Sequence, residues 1–381
     1  MTPRRTEHDD AGPSDGYRRG VSEKPGRESR TARSVGRNMG DDIDILRTIR
    51  LSVLDRSLIR RGEGADEALR ATVRFARDIE ALGYHRFWVS EHHGVPGVAG
   101  SAPTVLAAAV ASATTRVRVG TGGVMLPNHR PLVVAEQFGV LESLFPGRID
   151  MGLGRSVGFT GAVRRALGAG KEAAERFGDD LAELLDWFVG NDARGMRAVP
   201  AEGLRVPVFL LATGAGAALA AESGLPLVIA PARGEERMLR AVDEYRAAFR
   251  PSALTHEAYR EPYVVVSVSV AVGETAEEAE SMQVSEAWAT VVSRTRGVFP
   301  PLLPPEEVPV REMTAREATL FAEARRSQIH GTAEEVTAAL AGLIRRSGAD
   351  ELLVTLNAHD HGRRLDSHRR LARLAGLRPG A

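Results

Sequence analysis

From residue 48 onward, the apolar positions of the chain follow two alternating spacings, and each spacing predicts one kind of element. Short runs rich in β-branched residues indicate buried strands, and apolar residues recurring every three or four positions indicate amphipathic helices. In the first such helix, we expect Asp66 to cap a stripe that includes Leu69, Val73, Ala76 and Ile79. Eight runs have the strand pattern: Ile49–Leu54, Phe87–Ser90, Val117–Thr121, Ile149–Leu153, Val208–Leu211, Leu227–Ala230, Tyr263–Val272 and Leu352–Leu356.

Eight strand runs separated by helices predict an α/β fold with parallel strands and right-handed crossovers. Eight is the number of strands that closes a (β/α)8 TIM barrel, and we expect this fold with insertions after strands 4 and 7. A doubly wound open sheet has the same alternation, so the pattern alone leaves that alternative open. Residues 155–170 and 294–328 interrupt the rhythm, and we interpret these two insertions as candidate lids.

The first 46 residues differ in composition from the rest of the chain. They mix Arg, Asp, Glu, Ser and Gly and contain almost no large apolar side chains. Such a segment cannot bury enough apolar surface to offset the entropy lost on ordering. We therefore predict a disordered N-terminal extension over 1–46 and a barrel domain over 47–381. An Arg-rich arm that binds nucleic acid is the alternative, although acidic residues interleave with the arginines.

Composition narrows the classes of function. The 381 residues include no Cys, which excludes thiolate zinc sites, iron–sulfur ligation and cysteine nucleophiles. Lys and Arg total 50, and Asp and Glu also total 50, so no net charge attracts nucleic acid or an anionic membrane. No apolar run is long enough to span a membrane, and the N-terminus lacks the apolar core of a secretory signal. We expect a cytoplasmic protein whose partner is a small molecule.

In a TIM barrel the active site lies at the carboxyl ends of the strands, so the segments that follow the strand runs are the first place to look. Polar residues and glycines are concentrated in these segments, as the barrel interpretation requires. The segments are Asp55–Ser57, Glu91–Gly94, Gly122–Pro127, Gly154–Ser156, Thr213–Gly216 and Asn357–His361.

A turn of small residues after the fifth strand indicates an anion site, with a tightly packed βα turn as the alternative. Free backbone N–H groups at a helix start bind anions, and small residues let a phosphate approach the main chain. Arg155, directly after the fourth strand, offers a guanidinium suited to phosphate, although a salt bridge to Glu136 or Asp150 is an equal alternative. The chain lacks the G-x-G-x-x-G pattern of dinucleotide sites here. The turn consists of Thr213, Gly214, Ala215 and Gly216.

Two histidine clusters raise the alternative of a metal-dependent barrel hydrolase. His92 and His93 follow Glu91, and His359 and His361 flank Asp360 at the last strand. Neither cluster has the H-E-x-x-H spacing that places two ligands on one helix face. Histidines that only hydrogen bond within their loops are the other interpretation, and we assign no metal ligand.

Several segments resemble the bacterial-luciferase-like, flavin-dependent monooxygenases. The resemblance covers about residues 48–375 with the segments in the correct order, which makes their combination specific. It strengthens the prediction of a (β/α)8 barrel. The segments are Phe87–Gly94, Val119–Pro127, Pro131–Gln137, Pro146–Ser156 and Gly224–Pro226.

The resemblance also implies site residues. It implies a barrel that binds FMN, or the deazaflavin F420, at its carboxyl-terminal mouth. His92 matches the family's catalytic histidine, and Gly122 and Gly123 match a cis peptide that bulges beneath the flavin ring. Arg155 and the Thr213–Gly216 turn match the phosphate cradle. In the family that cradle often carries serines, whereas here Thr213 alone supplies a hydroxyl, so backbone amides must do most of the work.

The reaction implied by the resemblance is a monooxygenation. Reduced FMN, which many members of the family take from a separate flavin reductase, and molecular oxygen would oxidise a small organic substrate such as an aldehyde, a ketone or a biosynthetic intermediate. F420-dependent hydride transfer is the alternative within the same fold, and a non-catalytic flavin-binding partner subunit is another. The resemblance also implies a homodimer formed through the early barrel helices.

Overall fold

The structure is a computed structural model that describes residues 39–190, 195–214, 216–232, 234–252 and 255–378. The strands are β1 Arg50–Asp55, β2 Arg86–Val89, β3 Arg118–Thr121, β4 Val124–Met125, β5 Ile149–Gly154, β6 Val208–Ala212, β7 Leu227–Ile229, β8 Val264–Val272, β9 Ile329–Gly331 and β10 Glu351–Thr355. The α-helices are α1 Met39–Thr48, α2 Ala65–Ala81, α3 Pro103–Ala113, α4 Pro131–Leu144, α5 Gly161–Leu167, α6 Phe177–Val189, α7 Gly216–Glu222, α8 Glu235–Ala248, α9 Ala276–Arg296, α10 Ala315–Arg326, α11 Ala333–Ser347 and α12 His361–Leu374.

Eight parallel strands close into a barrel, which confirms the predicted (β/α)8 fold. Around the barrel they follow the order β1, β2, β3, β5, β6, β7, β8 and β10. The last strand closes the ring because Glu351 lies in register with both Val265 of β8 and Arg50 of β1. This closure excludes the open doubly wound sheet. The two short strands β4 and β9 pair beside β5 and β8.

All eight predicted strand runs coincide with barrel strands to within a few residues, whereas the first helix differs in detail. Its N-cap is Gly64 rather than Asp66, and Glu67 reaches back to accept a hydrogen bond from the Gly64 N–H at 2.9 Å. Ala76 and Ile79 are buried as predicted. Leu69, by contrast, is only partly buried and lines a surface groove between α2 and α3.

The predicted N-terminal extension is wrong for its last eight residues, which belong to α1. Residues 1–38 lie outside the described part of the chain, so the prediction for them stays a prediction. Leu46 is fully buried, and Asp42 forms an ion pair with Arg345 of α11. These two contacts therefore hold the helix against the barrel domain.

A network of buried charges fills the amino-terminal end of the barrel. The Arg86 guanidinium donates to Asp150 (Nη1–Oδ2, 2.7 Å) and to Glu351 (Nε–Oε1, 2.9 Å). The Tyr259 hydroxyl accepts from Arg86 at 2.7 Å, and the Tyr263 hydroxyl donates to Glu351 at 2.8 Å. Burial alone would raise the pKa of Asp150, but neighbouring guanidinium groups hold it below its usual range. The hydrogen bonds compensate the desolvation of these charges.

An apolar layer covers this network and forms the floor of the space above it. Trp88, Phe209 and Leu353 are fully buried, and the Trp88 and Phe209 rings pack edge to face with centroids 5.0 Å apart. Alternate residues of a strand share a face, so Ser90 follows Trp88 on the inner side of the barrel. Above this floor the barrel interior is open toward the carboxyl ends of the strands.

The two insertions occupy different places around this opening. Residues 155–176 contain α5 and a short 3-10 segment, and Val157, Gly158 and Phe159 line the cavity at the barrel mouth. Residues 297–331 contain α10 and β9 and pack outside the cavity. The Phe299 carbonyl accepts from the Gly97 N–H at 2.9 Å, and Leu302 pairs with Arg60. Of the two candidate lids, only the first therefore contributes residues to the cavity.

Among the described residues, no helix has both the length and the apolar character required to cross a membrane.

Candidate functional site

A cavity of about 480 Å³ lies at the carboxyl-terminal mouth of the barrel. It brings together five of the predicted site residues: His92, Gly122, Gly123, Arg155 and Thr213. Its inner walls are mainly apolar, and the residues that supply them are Leu54, Leu211, Val228, Ile229 and Leu353. A pocket with apolar walls and a few polar groups at fixed positions is the usual form of a cofactor or substrate site.

His92 lies directly beyond β2, and two contacts within the same loop region fix it. Its backbone N–H donates to the Gly100 carbonyl at 2.8 Å. Its ring Nδ1 lies 3.2 Å from the Ser90 hydroxyl, which leaves Nε2 as the nitrogen available to a ligand. Burial lowers the pKa of His92 to about 4, and the positive charge of Arg56 contributes in the same direction. The imidazole is therefore neutral at neutral pH and can accept or donate a proton.

The glycine pair connects β3 to β4 at the edge of the cavity. The peptide bond between Gly122 and Gly123 is cis, as the resemblance implies. A Cβ on Gly122 would lie 2.6 Å from Leu54 Cδ1, and one on Gly123 would lie 2.6 Å from the Gly152 carbonyl oxygen. At Gly123 the obstacle is backbone, so no side chain fits, whereas at Gly122 the Leu54 side chain would have to move. The bare backbone of this pair therefore forms part of the cavity wall.

The predicted anion turn lies between β6 and α7. Thr213 is exposed and lines the cavity, and Gly214 has φ +126° with open space where a Cβ would be. Gly216 is the first residue of α7, and Ala215 lies outside the described residues. The atom nearest to a Cβ on Gly214 would be Arg237 Nε, at 4.0 Å. Arg237, which no sequence pattern indicated, is thus a second cation near this turn.

Arg155 follows β5 and is exposed at the rim of the cavity. Its Nε donates to the Ala174 carbonyl at 2.8 Å, which attaches the side chain to the first insertion. Among the described residues it pairs with neither Glu136 nor Asp150, and Asp150 belongs to the network at the opposite end of the barrel. The salt-bridge alternative is therefore wrong, and the terminal guanidinium nitrogens remain at the rim.

Glu91 joins the two loops that carry His92 and the glycine pair. Its carboxylate is 3% exposed and lies 2.7 Å from His93 Nε2 and 3.0 Å from His129 Nε2. It also accepts the backbone N–H of Met125 at 2.9 Å. Burial alone would raise the pKa of Glu91, but these hydrogen bonds and the adjacent imidazoles hold it below its usual range. Glu91 was recognisable from the sequence as a neighbour of the histidine pair, whereas His129, which follows Pro127-Asn128, was not.

Glu91, His93 and His129 are also of the types that bind metals, and their ligand atoms lie within 4.8 Å of one another. The individual contacts, however, have the distances of direct hydrogen bonds between imidazole N–H groups and a carboxylate. At the last strand, His361 contacts Glu63 at 2.8 Å and Asp360 caps α12. His361, the first residue of α12, therefore fits the interpretation of a hydrogen-bonded histidine, although its partner lies in another loop.

An ion pair follows the neighbouring strand β1 at the mouth. The Arg56 guanidinium pairs with Glu286 of α9 and lies over the Phe299 ring, 5.7 Å from its centroid. These contacts connect the β1 loop to the second insertion. They also fix the position of the Arg56 charge, which adds to burial in lowering the pKa of His92.

Comparisons with known proteins identify the family and agree with the fold. The family model for luciferase-like monooxygenases matches residues 49–351. A luciferase-like monooxygenase of Escherichia coli is 37% identical over 324 residues, which cover 84% of this chain and 95% of the relative. The N-acetyl-S-alkylcysteine monooxygenase of Bacillus subtilis is 38% identical over 252 residues, covering 64% of this chain and 74% of that protein.

Among solved structures, apo-MsnO8 superposes with a TM-score of 0.75 at 29% identity and covers 88% of this chain and 99% of its own. Two more distant structures show the same fold. The oxygenating constituent of 3,6-diketocamphane monooxygenase of Pseudomonas putida, solved with FMN, has a TM-score of 0.64 at 16% identity, over 85% of this chain and 97% of its own. An F420-dependent secondary alcohol dehydrogenase has a TM-score of 0.62 at 14% identity, and the match covers 86% of this chain and 99% of the dehydrogenase.

The site at the mouth of a parallel eight-stranded barrel, together with these matches, defines an oxidoreductase of the monooxygenase class. The chain belongs to the luciferase-like monooxygenase family. The two more distant neighbours, one solved with FMN and one F420-dependent, show the fold alone.

Proposed function

We propose that this protein is a flavin-dependent monooxygenase that uses reduced FMN and molecular oxygen to oxidise a small, uncharged or weakly polar organic substrate. The observation that carries the proposal is the cavity that unites His92, the cis Gly122–Gly123 peptide and Thr213 on three different strand ends. A neutral imidazole, a flat backbone surface and an anion turn are the three features that this chemistry needs from the protein.

The residues present fit FMN in shape and in chemistry. Aliphatic side chains such as Leu211 and Val228 suit the faces of a planar ring system. At the other end of the cavity, the Thr213 hydroxyl, the open backbone at Gly214 and the Arg155 guanidinium suit a phosphate. Arg237 adds a second positive charge beside Gly214.

Each residue would have a distinct task in the reaction. Bound reduced FMN supplies the electrons that activate oxygen. Thr213 and Arg155 would hold the phosphate, and Gly122 and Gly123 would allow the ring to approach the backbone. His92 would hold or transfer a proton at Nε2, since Nδ1 faces the Ser90 hydroxyl. The apolar walls and the first insertion would exclude water, which protects a reactive site from side reactions.

The first experiment is a titration of the purified chain with FMN and, in parallel, with F420, followed by flavin fluorescence. The FMN-loaded chain is then reduced anaerobically and mixed with oxygen in a stopped-flow spectrometer. We expect FMN to bind and its return to the oxidised form to be slower than for free FMN. His92→Ala should bind FMN as tightly but change this rate. Binding of F420 instead of FMN would favour hydride transfer, and binding of neither would refute the proposal.

The name of the Bacillus subtilis relative suggests where a substrate search can begin. That relative is an N-acetyl-S-alkylcysteine monooxygenase. A first panel would contain N-acetyl-S-methylcysteine, hexanal and 2-hexanone, assayed with reduced FMN that a separate flavin reductase generates. Product formation in this coupled assay, and its loss in His92→Ala, would support both the reaction and the use of a reductase. If bound FMN returned to the oxidised form at the free rate in the presence of every substrate, a non-catalytic subunit would be favoured.

We further propose that the protein is a homodimer that uses the groove between α2 and α3. The groove has a volume of about 540 Å³ and is lined by apolar side chains that include Leu69 and Val73. Val105 beside them is 70% exposed. Sedimentation velocity should show a dimer that Val105→Glu dissociates. The matched control is Val199→Glu, because Val199 is 80% exposed but lies elsewhere on the surface. A wild-type monomer would refute this assembly.

A further inference from the structure

Two adjacent histidines at the end of β2 lie in opposite electrostatic surroundings. His92 and His93 both line the cavity. Burial, and after it the positive charge of Arg56, lower the pKa of His92 to about 4, so this ring is neutral at neutral pH. His93 instead bonds directly to the Glu91 carboxylate, at 2.7 Å. Neighbouring titratable groups whose surroundings favour opposite protonation states are the usual arrangement of a base and an acid in one active site.

The contact with Glu91 determines which ring nitrogen of His93 is open to the cavity. Glu91 Oε1 lies 2.7 Å from His93 Nε2, so the carboxylate accepts a hydrogen bond from the Nε2–H group. Within the described part of the chain, the other nitrogen, Nδ1, is neither hydrogen bonded nor buried. The His93 side chain is 22% exposed and lines the cavity, which leaves Nδ1 as the nitrogen that a bound molecule can reach.

The Glu91 carboxylate is suited to stabilise a positive charge on His93. It is 3% exposed, and its hydrogen bonds hold its pKa below the usual range, so it is ionised at neutral pH. His129 Nε2, at 3.0 Å, and the Met125 N–H, at 2.9 Å, fix the carboxylate from the neighbouring loop. A buried carboxylate that bonds one nitrogen of an imidazole orients the ring and stabilises the imidazolium that forms when the other nitrogen takes a proton.

The other charged groups around the cavity do not contact His93. Among the described residues that line the cavity, Glu91 is the only carboxylate, and Arg155, which follows β5, is the only guanidinium. Arg56 in the β1 loop is paired with a carboxylate of α9, and Arg164 of α5 donates to a carbonyl of the first insertion. The charge in direct contact with His93 is therefore that of Glu91.

We propose that His93, held and charged by Glu91, is the acid of this site. This inference rests on the proposed function and assigns a residue to a step that the function requires. When one oxygen atom of O2 is added to the substrate, the O–O bond breaks and the other atom leaves as water, with two electrons that come from reduced FMN. The departing oxygen takes one proton from His93 Nδ1 and a second from solvent. The two protons that the flavin loses on oxidation restore the balance, and His93 is protonated again.

The first test uses the chain without FMN, labelled with 15N at its histidines, and follows the imidazole nitrogens by NMR from pH 5 to pH 9. The signals are assigned with His92→Gln and His93→Gln. We expect the neutral His93 ring to carry its proton on Nε2 and to take up a second proton at a higher pH than His92. In Glu91→Gln the midpoint of the His93 signal should fall by about one pH unit or more, because the facing charge is gone.

The second test follows product formation from reduced FMN, oxygen and a substrate of the panel above as a function of pH. An acid must be protonated to act, so wild-type turnover should fall as the pH rises through the midpoint of the His93 signal. His93→Gln keeps an N–H donor for Glu91 but has no proton to give. It should bind FMN as tightly, lower turnover about 100-fold and lose the alkaline decline.

The matched control is His330→Gln. His330 is half-buried like His93 but lies on β9 and does not line the cavity. This variant should change neither the turnover nor its dependence on pH.

The outcomes separate this inference from the proposed function. A neutral His93 ring with its proton on Nδ1, or a His93 midpoint at or below that of His92, would overturn the acid role, and both are measured in the wild-type chain without cofactor. Turnover that is undiminished in His93→Gln, or diminished with the alkaline decline intact, would overturn the acid role and leave the monooxygenase proposal standing. A wild-type chain that takes up no FMN would contradict the proposed function, and the acid role would fall with it.

Discussion

Replacing Glu91 with glutamine removes one negative charge from the centre of the network that joins the two site loops. The carboxylate now accepts hydrogen bonds from His93, His129 and the Met125 N–H at 2.7 to 3.0 Å. The amide of the substituted side chain would keep one acceptor oxygen, so at least one of these bonds is lost and the others lose their charge. A hydrogen bond to a charged group contributes about 1.5–3 kcal/mol. We therefore expect Glu91→Gln to lower the free energy of unfolding by about 2 kcal/mol.

Urea denaturation at pH 7.5, followed by tryptophan fluorescence, measures this loss. At that pH the stabilisation that the ionised Glu91 carboxylate contributes is fully present. The pKa of Glu91 is lowered in the folded state, so this contribution is lost only as the pH falls below the ordinary carboxyl pKa of 4.5. Displacement of the two loops should also reduce turnover on the order of tenfold or more.

The matched control is Glu235→Gln. Glu235 forms an ion pair with Arg346, and their side chains are 39% and 49% exposed and lie away from the cavity. Exposed pairs of this kind contribute about 0–1 kcal/mol. Equal urea midpoints for wild type and Glu91→Gln, or equal losses in both variants, would refute the reasoning that Glu91 is the structural link between the loops.

Three further predictions concern the glycine pair, acid stability and metals. Gly123→Ala should destabilise the fold by about 1–3 kcal/mol, because its Cβ would meet the Gly152 backbone. The control Gly178→Ala in α6 has open space at its Cβ and should not be destabilised. Equal melting temperatures for the two variants would contradict this prediction. Burial lowers the pKa of His368 to about 4 from 6.5, so the unfolded chain binds the proton more readily and stability falls as pH drops from 6.5 toward 4. Between pH 7.5 and pH 5, the free energy of unfolding of His368→Gln, measured by urea titration, should fall by about 2 kcal/mol less than that of the wild type. Equal falls in the two proteins would count against the argument that burial lowers the pKa of His368. Dialysis against EDTA should leave turnover with FMN unchanged, because Glu91 and its histidines are hydrogen bonded directly; activity lost on dialysis and restored by Zn²⁺ or Fe²⁺ would establish a metal site.

The fold was readable from the sequence because every barrel strand is a short apolar run between turn residues. The β8 segment shows this clearly: buried valines alternate with two half-buried serines, Ser267 and Ser269, of which Ser267 lines the cavity. Helix α1 was not predicted, because its order depends on contacts with residues that are distant in the chain. Its burial depends on Leu46 and on Asp42 meeting Arg345, and the two partners of that ion pair are 303 residues apart in the chain.

The same distinction applies to the site. His92, Gly122 and Thr213 were predictable because each follows a strand, and a barrel brings the ends of its strands together. The partnership of Glu91 with His129 was not predictable, because it depends on how two loops fold over the rim. The strand that precedes Asn357 suggested its place at the barrel mouth. That its Nδ2 has no hydrogen-bond acceptor among the described residues is visible only in the three-dimensional structure.

The charged network beneath Trp88 and Phe209 makes the barrel a well with a closed base. Whatever enters this cavity arrives and departs through the rim where Arg155 and Thr213 lie. A ligand bound near the base cannot leave while a second ligand is bound above it. The inner ligand must therefore bind first and be released last. Steady-state kinetics should accordingly display a compulsory sequence of ligands, and excess of the outer ligand should inhibit by closing the entrance.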